Sequence, residues 1–263
     1  MDIRDSRTRR LLFTILLFAL VVPNGIAQSS KDDKAAAELR EAKDAKQTDG
    51  QITMDATSHK ESAPVSAVDF VLSVDGAPSM GSEKAPLAIV EFGDYECPYC
   101  SQHANQVLPQ IVTDYVEAGK VRYFFKDFPL GSIHPEAFKG AEAARCAGEQ
   151  GKYWEMHDRL FGDRQPLAMK VWPVYLLALG LDASQFLQCL DEGKYGAQIR
   201  KDIQEAEKYH VPGTPSFYLG TLNSDGSGMK AVRMLRGFTA YNAFRKTLDQ
   251  MLSSQGEQND KFD

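Results

Sequence analysis

Leu87-Ala88-Ile89-Val90-Glu91-Phe92-Gly93-Asp94-Tyr95-Glu96-Cys97-Pro98-Tyr99-Cys100 is the stretch on which the fold of this 263-residue chain turns. Its first six residues predict a buried strand. The apolar-periodic run from Tyr99 to Val116 predicts a helix. The junction therefore sets a C-x-x-C at the first turn of a helix. The first-turn N–H groups have no partner inside the helix, and the macrodipole is positive there. A thiolate at Cys97 would be stabilised and its pKa lowered. Pro98 fits, because a proline in the first turn forfeits no intrahelical bond. The three-residue step leaves Cys100 close enough to close a small disulfide ring.

Zinc is the main rival for such a pair. It usually takes four Cys or His ligands. His103 extends the motif to C-x-x-C-x-x-H, but no fourth ligand is evident, and Cys146 and Cys189 stand far off in sequence. No metal site is assigned. Haem attachment needs His directly after the second Cys, and that residue is Ser101. A purely structural Cys97–Cys100 bridge would restrain the unfolded chain little.

The N-terminus reads as a signal peptide over residues 1–27. Arg4, Arg7, Arg9 and Arg10 precede an apolar run from Leu11 to Val22, and Gly25-Ile26-Ala27 is a small-x-small cleavage signal. The run falls short of the roughly twenty residues that span a bilayer. An uncleaved segment that tethers the chain is the alternative. Residues 1–27 carry four Arg and two Asp, so their removal takes the formal charge from −6 to −8. An acidic chain does not suggest nucleic acid as a partner. Four cysteines in an exported chain point to an oxidising, extracytoplasmic compartment.

Residues 28–66 are polar and charged with few large apolar groups, which predicts a solvated spacer. No heptad repeat is sustained there, so a monomer is expected. A first strand is expected from Asp69 to Val74. After the C-x-x-C helix, with Pro109 expected to kink it, residues 121–128 form a β-branched and aromatic run. Strand, helix and strand then make a parallel βαβ unit. Residues 134–209 carry only helical signals: Pro135 opens a helix, Gly148, Gly162 and Gly180 end helices, and Asp182 is an N-cap. Strand signals return from Ser216 to Leu219 and from Ala231 to Leu235. Thr239 or Asn242 caps a last helix through Leu252, and 253–263 is a polar, frayed tail. The fold class is α/β, in two parts (67–133 and 210–252), with an all-helical insertion between them.

Taken together, these residues resemble the DsbA-like thiol–disulfide oxidoreductases, which have a thioredoxin fold interrupted by a helical domain. The resemblance is carried by Glu91 to Cys100, Lys126-Asp127-Phe128-Pro129-Leu130, Tyr153-Trp154-Glu155-Met156-His157-Asp158 and Gly213-Thr214-Pro215-Ser216-Phe217. It covers the chain from about Val68 to Leu252. It implies that Cys97 is the exposed, reactive cysteine and Cys100 the buried, resolving one. Pro215 would be cis and lie against the pair, with the Thr214 backbone placed to hold an extended substrate. Tyr99, between the cysteines, would also meet substrate. Glu91 would be a buried acid that exchanges a proton with Cys100, although Glu is seldom buried unpaired and a solvated strand position is the alternative. Lys126 could pair with Glu91 or point to solvent. Trp154, Trp172, His103, His157 and His210 are expected as packing or surface residues.

The resemblance implies a disulfide-forming oxidase of exported, periplasmic cysteine-containing proteins, needing no cofactor and reoxidised by a membrane quinone-linked partner. A reductase or isomerase, or a non-catalytic peptide- or zinc-binding module, is the alternative. The strongest oxidants of the family carry His where Tyr99 stands. Tyr99 supplies no charge, so a milder oxidant is expected, with a potential between about −120 and −230 mV. Cys146 and Cys189 are expected to form a structural disulfide; two free buried thiols are the alternative.

Overall fold

The structure, a computed structural model, describes residues 65–162 and 171–259. The expected signal peptide and nearly all of the spacer lie outside the described residues. No described helix is long and apolar enough to cross a membrane.

Leu87 to Gly93 form β3, buried along its whole length as a central strand, with Glu91 as the one charged residue in an otherwise apolar run. β3 pairs in parallel with β4 (Val121–Asp127) and antiparallel with β5 (Ser216–Leu222). β1 (Ser66–Ser73), β2 (Ser79–Met80) and β6 (Gly228–Arg236) complete one sheet of order β1-β6-β5-β3-β4-β2. β1 starts three residues before the expected Asp69. β2 has only two residues, too few to show a pattern in sequence.

The β3–β4 crossover runs through α1 (Pro98–Gln106) and α2 (Leu108–Ile111), followed by a π-helical segment, Val112–Val116. The expected kink is a break. Pro109 has no N–H to continue the ladder, so α1 stops and α2 restarts with Pro109 in its first turn. Gly119, at φ 68°, then turns the chain into β4.

Between β4 and β5 lie α3 (Ala137–Gly148), α4 (Tyr153–Gly162), α5 (Trp172–Leu179), α6 (Ala183–Asp191) and α7 (Gly196–Lys208). Asp182 caps α6 by accepting from the Gln185 N–H at 2.8 Å. Cys146 of α3 and Cys189 of α6 are joined by a disulfide. The last helix, α8 (Tyr241–Asn259), runs on past Leu252 into the segment expected to fray. Ser253 and Ser254 hydroxyls donate to the carbonyls of Asp249 and Gln250 within it. Thr239 does not cap α8: its hydroxyl donates to the Gly237 carbonyl.

Three apolar clusters hold these layers together. One lies between the sheet and α2, the π-helical segment and α8, around Ile89, Ile111, Phe217, Phe244 and Leu248. The second covers the opposite face, around Val90, Phe92, Tyr218 and Ala206 of α7. The third fills the insertion and extends to Cys97 and Cys100. Each fully buried large side chain contributes about 1.5–3 kcal/mol. The insertion is also tied to the sheet by buried charges. Arg145 of α3 donates to Asp127 at 2.5 Å and to Asp202 of α7 at 2.7 Å. Lys126 meets Asp202 at 3.1 Å and also pairs with Glu205. This α/β sheet with an all-helical insertion is the expected architecture.

Candidate active site

Cys97 is the N-cap of α1, with an extended backbone (φ −72°, ψ 121°), and Pro98 opens the helix. The Cys97 N–H donates to the Asp94 carbonyl at 3.1 Å, and the Cys97 carbonyl accepts from Ser101 N–H. The Asp94 side chain fixes the preceding loop. Its Oδ1 accepts from Glu96 N–H, and its Oδ2 takes Leu130 N–H and His134 Nδ1, all within 2.7–2.8 Å.

The Thr214–Pro215 peptide bond is cis and lies against the cysteines. The Cys97 thiol reaches the Thr214 carbonyl at 3.4 Å. Tyr99 is open to solvent at 58% exposure. Cys97, expected to be exposed, is only 5% so, against 0% for Cys100. The Thr214 carbonyl at its sulfur and the helix it caps account for that cover.

Both cysteines are free thiols. Their acidities are driven apart. The hydrogen bond from Cys100 is the largest influence on Cys97 and takes its pKa from 9.0 down to about 6. Burial opposes that drop. The backbone N–H groups of Cys100 and Tyr99 reinforce it. Burial pushes Cys100 well above the usual thiol range, and its bond to Cys97 adds to the rise. One sulfur is thus prepared to be an anion and the other a thiol, the division a thiol–disulfide exchange needs.

Glu91 sits beneath them on β3 at 2% exposure, not solvated. Burial raises its pKa to about 8, against a hydrogen bond from the Tyr123 hydroxyl that favours the anion. Cys97 adds a repulsive charge. Lys126 neither pairs with Glu91 nor points to solvent. Strand pairing matches Lys126 with Phe92 and Glu91 with Phe125, so the two side chains leave the sheet on opposite faces.

The structure thus gathers Cys97, Cys100, Thr214, Pro215 and Glu91. Cys146 and Cys189 are apart, in the insertion. Sequence reasoning missed Tyr123, and it weighed His103 only as a ligand or a packing residue. His103 follows Cys100 by three residues, which puts both on one face of α1. Its Nε2 meets the Tyr123 hydroxyl at 3.2 Å. Among the described residues no group of three or more His, Cys, Asp and Glu is arranged to hold a metal ion.

The family model described as "Thioredoxin" matches residues 73–235. A Na(+)/H(+) antiporter, NhaA 1 of Salinispora arenicola, is 37% identical over 147 residues, which are 56% of this chain and 22% of the antiporter. The chain thus spans about a fifth of the length of such antiporter relatives. Disulfide bond formation protein D of Bacillus subtilis is 25% identical over 202 residues, covering 72% of this chain and 83% of the relative. The crystal structure of Wolbachia pipientis alpha-DsbA1 superposes with a TM-score of 0.61 at 23% identity, over 70% of this chain and 94% of that one. With the family match spanning more than half of its length, the chain belongs to the thioredoxin family, and it has the DsbA-like form of the fold.

Proposed function

We propose that this chain is a thiol–disulfide oxidoreductase that forms disulfides in exported proteins, with Cys97 as the attacked sulfur and Cys100 as the resolving one. The observation that carries this is the opposite displacement of the two thiols, with Cys97 taken down to about 6 at the N-terminus of α1. Stabilising the Cys97 anion stabilises the reduced protein, which makes the disulfide form oxidising. The likeness to disulfide bond formation protein D supports the same direction.

In the oxidised protein, a substrate thiolate attacks Cys97 Sγ. The Cys97–Cys100 bond breaks and a mixed disulfide forms. Cys100 leaves as a thiolate and takes a proton from the neutral Glu91 carboxyl. A second substrate thiolate attacks the substrate sulfur of the mixed disulfide. The substrate disulfide departs, and Cys97 remains as a thiolate. The backbone of Thr214 next to Pro215 offers an extended substrate a place to pair, and Tyr99 a surface to lie on. A membrane quinone-linked partner would take the two electrons, and the signal-like N-terminus would export the chain or tether it.

The test is the potential of the Cys97–Cys100 pair, with oxidation of a reduced cysteine-containing peptide by the purified chain. A value well above the roughly −270 mV of thioredoxin, and activity lost in Cys97→Ser, are expected. A value at or below that of thioredoxin would instead make the protein a reductase.

A further inference from the structure

Glu91 has to gain and lose a proton in each catalytic cycle, yet it is 2% exposed. Its carboxylate accepts from the Tyr123 hydroxyl. The same hydroxyl lies 3.2 Å from His103 Nε2. A tyrosine hydroxyl has one proton to give, so with Glu91 ionised His103 must be the donor at Nε2. His103 Nδ1 is then bare, and it is a buried atom with no hydrogen-bond partner. A bare buried ring nitrogen is costly in a purely structural histidine.

We propose that Tyr123 and His103 relay protons to and from Glu91, with the His103 ring switching tautomer as Glu91 changes charge. The inference rests on the proposed role of Glu91 in the thiol–disulfide cycle. In the ionised state Tyr123 donates to Glu91, and His103 Nε2–H donates to Tyr123. Reprotonation starts with a proton from water arriving at His103 Nδ1. The Nε2 proton passes to the Tyr123 oxygen, and the Tyr123 proton passes to Glu91. The end state is a neutral carboxyl donating to Tyr123, with Tyr123 donating to Nε2. One proton enters at Nδ1 and one arrives at Glu91, and no group in between keeps a charge.

The surroundings suit a neutral carrier. Burial takes His103 down to about 3, with His157 adding to the drop, and it pushes Tyr123 well above its usual range. The charged and titratable groups acting on this line are Glu91 from β3, Cys97 and Cys100 from the α1 turn, and Tyr153 and His157 from α4. β5 and α8 contribute only the rings of Phe217 and Phe244 against His103. His157 is the other buried imidazole with an unpartnered nitrogen, its Nε2. Its Nδ1 lies 3.1 Å from Asp158, which is exposed.

The experiment is ring 15N spectroscopy of the full chain from pH 6 to 10, reduced and oxidised, with His103→Phe used to assign the signals. The expected result is a His103 ring that passes from Nδ1–H to Nε2–H as the pH rises through about 8, where Glu91 ionises. Glu91→Gln and Tyr123→Phe should each hold the ring in one tautomer. A His103 ring with one tautomer across this range in wild type overturns the proposal, as does a switch that survives in Tyr123→Phe. No substrate is used, so a failed oxidase assay beside an intact switch would reject the oxidase role and leave the relay standing.

Discussion

Glu91 and Lys126 stand on adjacent strands and face opposite sides of the sheet. Lys126 is 1% exposed and is held by Asp202, Glu205 and the Ser73 carbonyl. It serves the join between sheet and insertion, not the cysteines. Lys126→Met should leave Glu205 without its cation and Asp202 with Arg145 alone, and cost about 3–5 kcal/mol. Burial already raises Asp202 to about 6, and Lys126 is the main influence holding it down. Its loss lets Asp202 keep a proton at higher pH, so the deficit should shrink as the pH falls toward 5. Urea unfolding at pH 7 and 5 checks both effects. The titration of Cys97 should not move.

Cys97 should be alkylated by iodoacetamide with a midpoint near pH 6. Cys100→Ala should raise that midpoint, because the Cys100 hydrogen bond is the largest lowering influence. A depressed acid stabilises the folded reduced state above its unfolded pKa of 9.0, and that gain is lost as the pH falls through about 6. The reduced protein should therefore exceed the oxidised one in stability at pH 8 by a few kcal/mol, after allowance for solvent screening. The gap should close by pH 5.

For Glu91 the sign is reversed. Its folded pKa is raised from 4.5 to about 8, so the native state holds the proton more tightly. The stability tied to the neutral carboxyl is present in full below pH 4.5 and falls away as the pH rises through 8. Glu91→Gln, which does not ionise, should overtake wild type across that window by roughly 5 kcal/mol at most. Chemical denaturation at pH 5 and 9 measures it, and curves that stay parallel would reject the shift.

The Cys146–Cys189 disulfide spans a sequence separation of 43. Closing a loop of that size stabilises by roughly 4 kcal/mol in the chain-entropy account. The double variant Cys146→Ala/Cys189→Ala should lose about that much in guanidinium unfolding. Cys97 should still titrate in the variant as it does in wild type, since the bridge lies in α3 and α6.

Much of the site was legible because it is local. A strand, a C-x-x-C and a helix lie within one continuous stretch, and Thr214-Pro215 opens the next strand. What stayed hidden depends on registers that no short window contains. The face taken by Lys126 follows from pairing β4 with β3, and a shift of one residue would have reversed it. Tyr123 shares the face of Ile89 and Glu91 through that same register. The partner of Glu91 is therefore Tyr123 and not Lys126. His103 carried a usable signal, one turn beyond Cys100, but it names an inward face and not what the face meets. α8 outran its apolar stripe because backbone hydrogen bonds carry a helix on without burial.

The order of strands also dictates when the sheet can be finished. β1, the first strand, lies against β6, the last. A chain made N-terminus first holds β1 without a neighbour until the insertion, β5 and β6 have followed it. So wide a closure is entropically late, and topologies rich in such contacts fold slowly. Until then an unpaired, partly apolar strand is open to association with neighbouring chains.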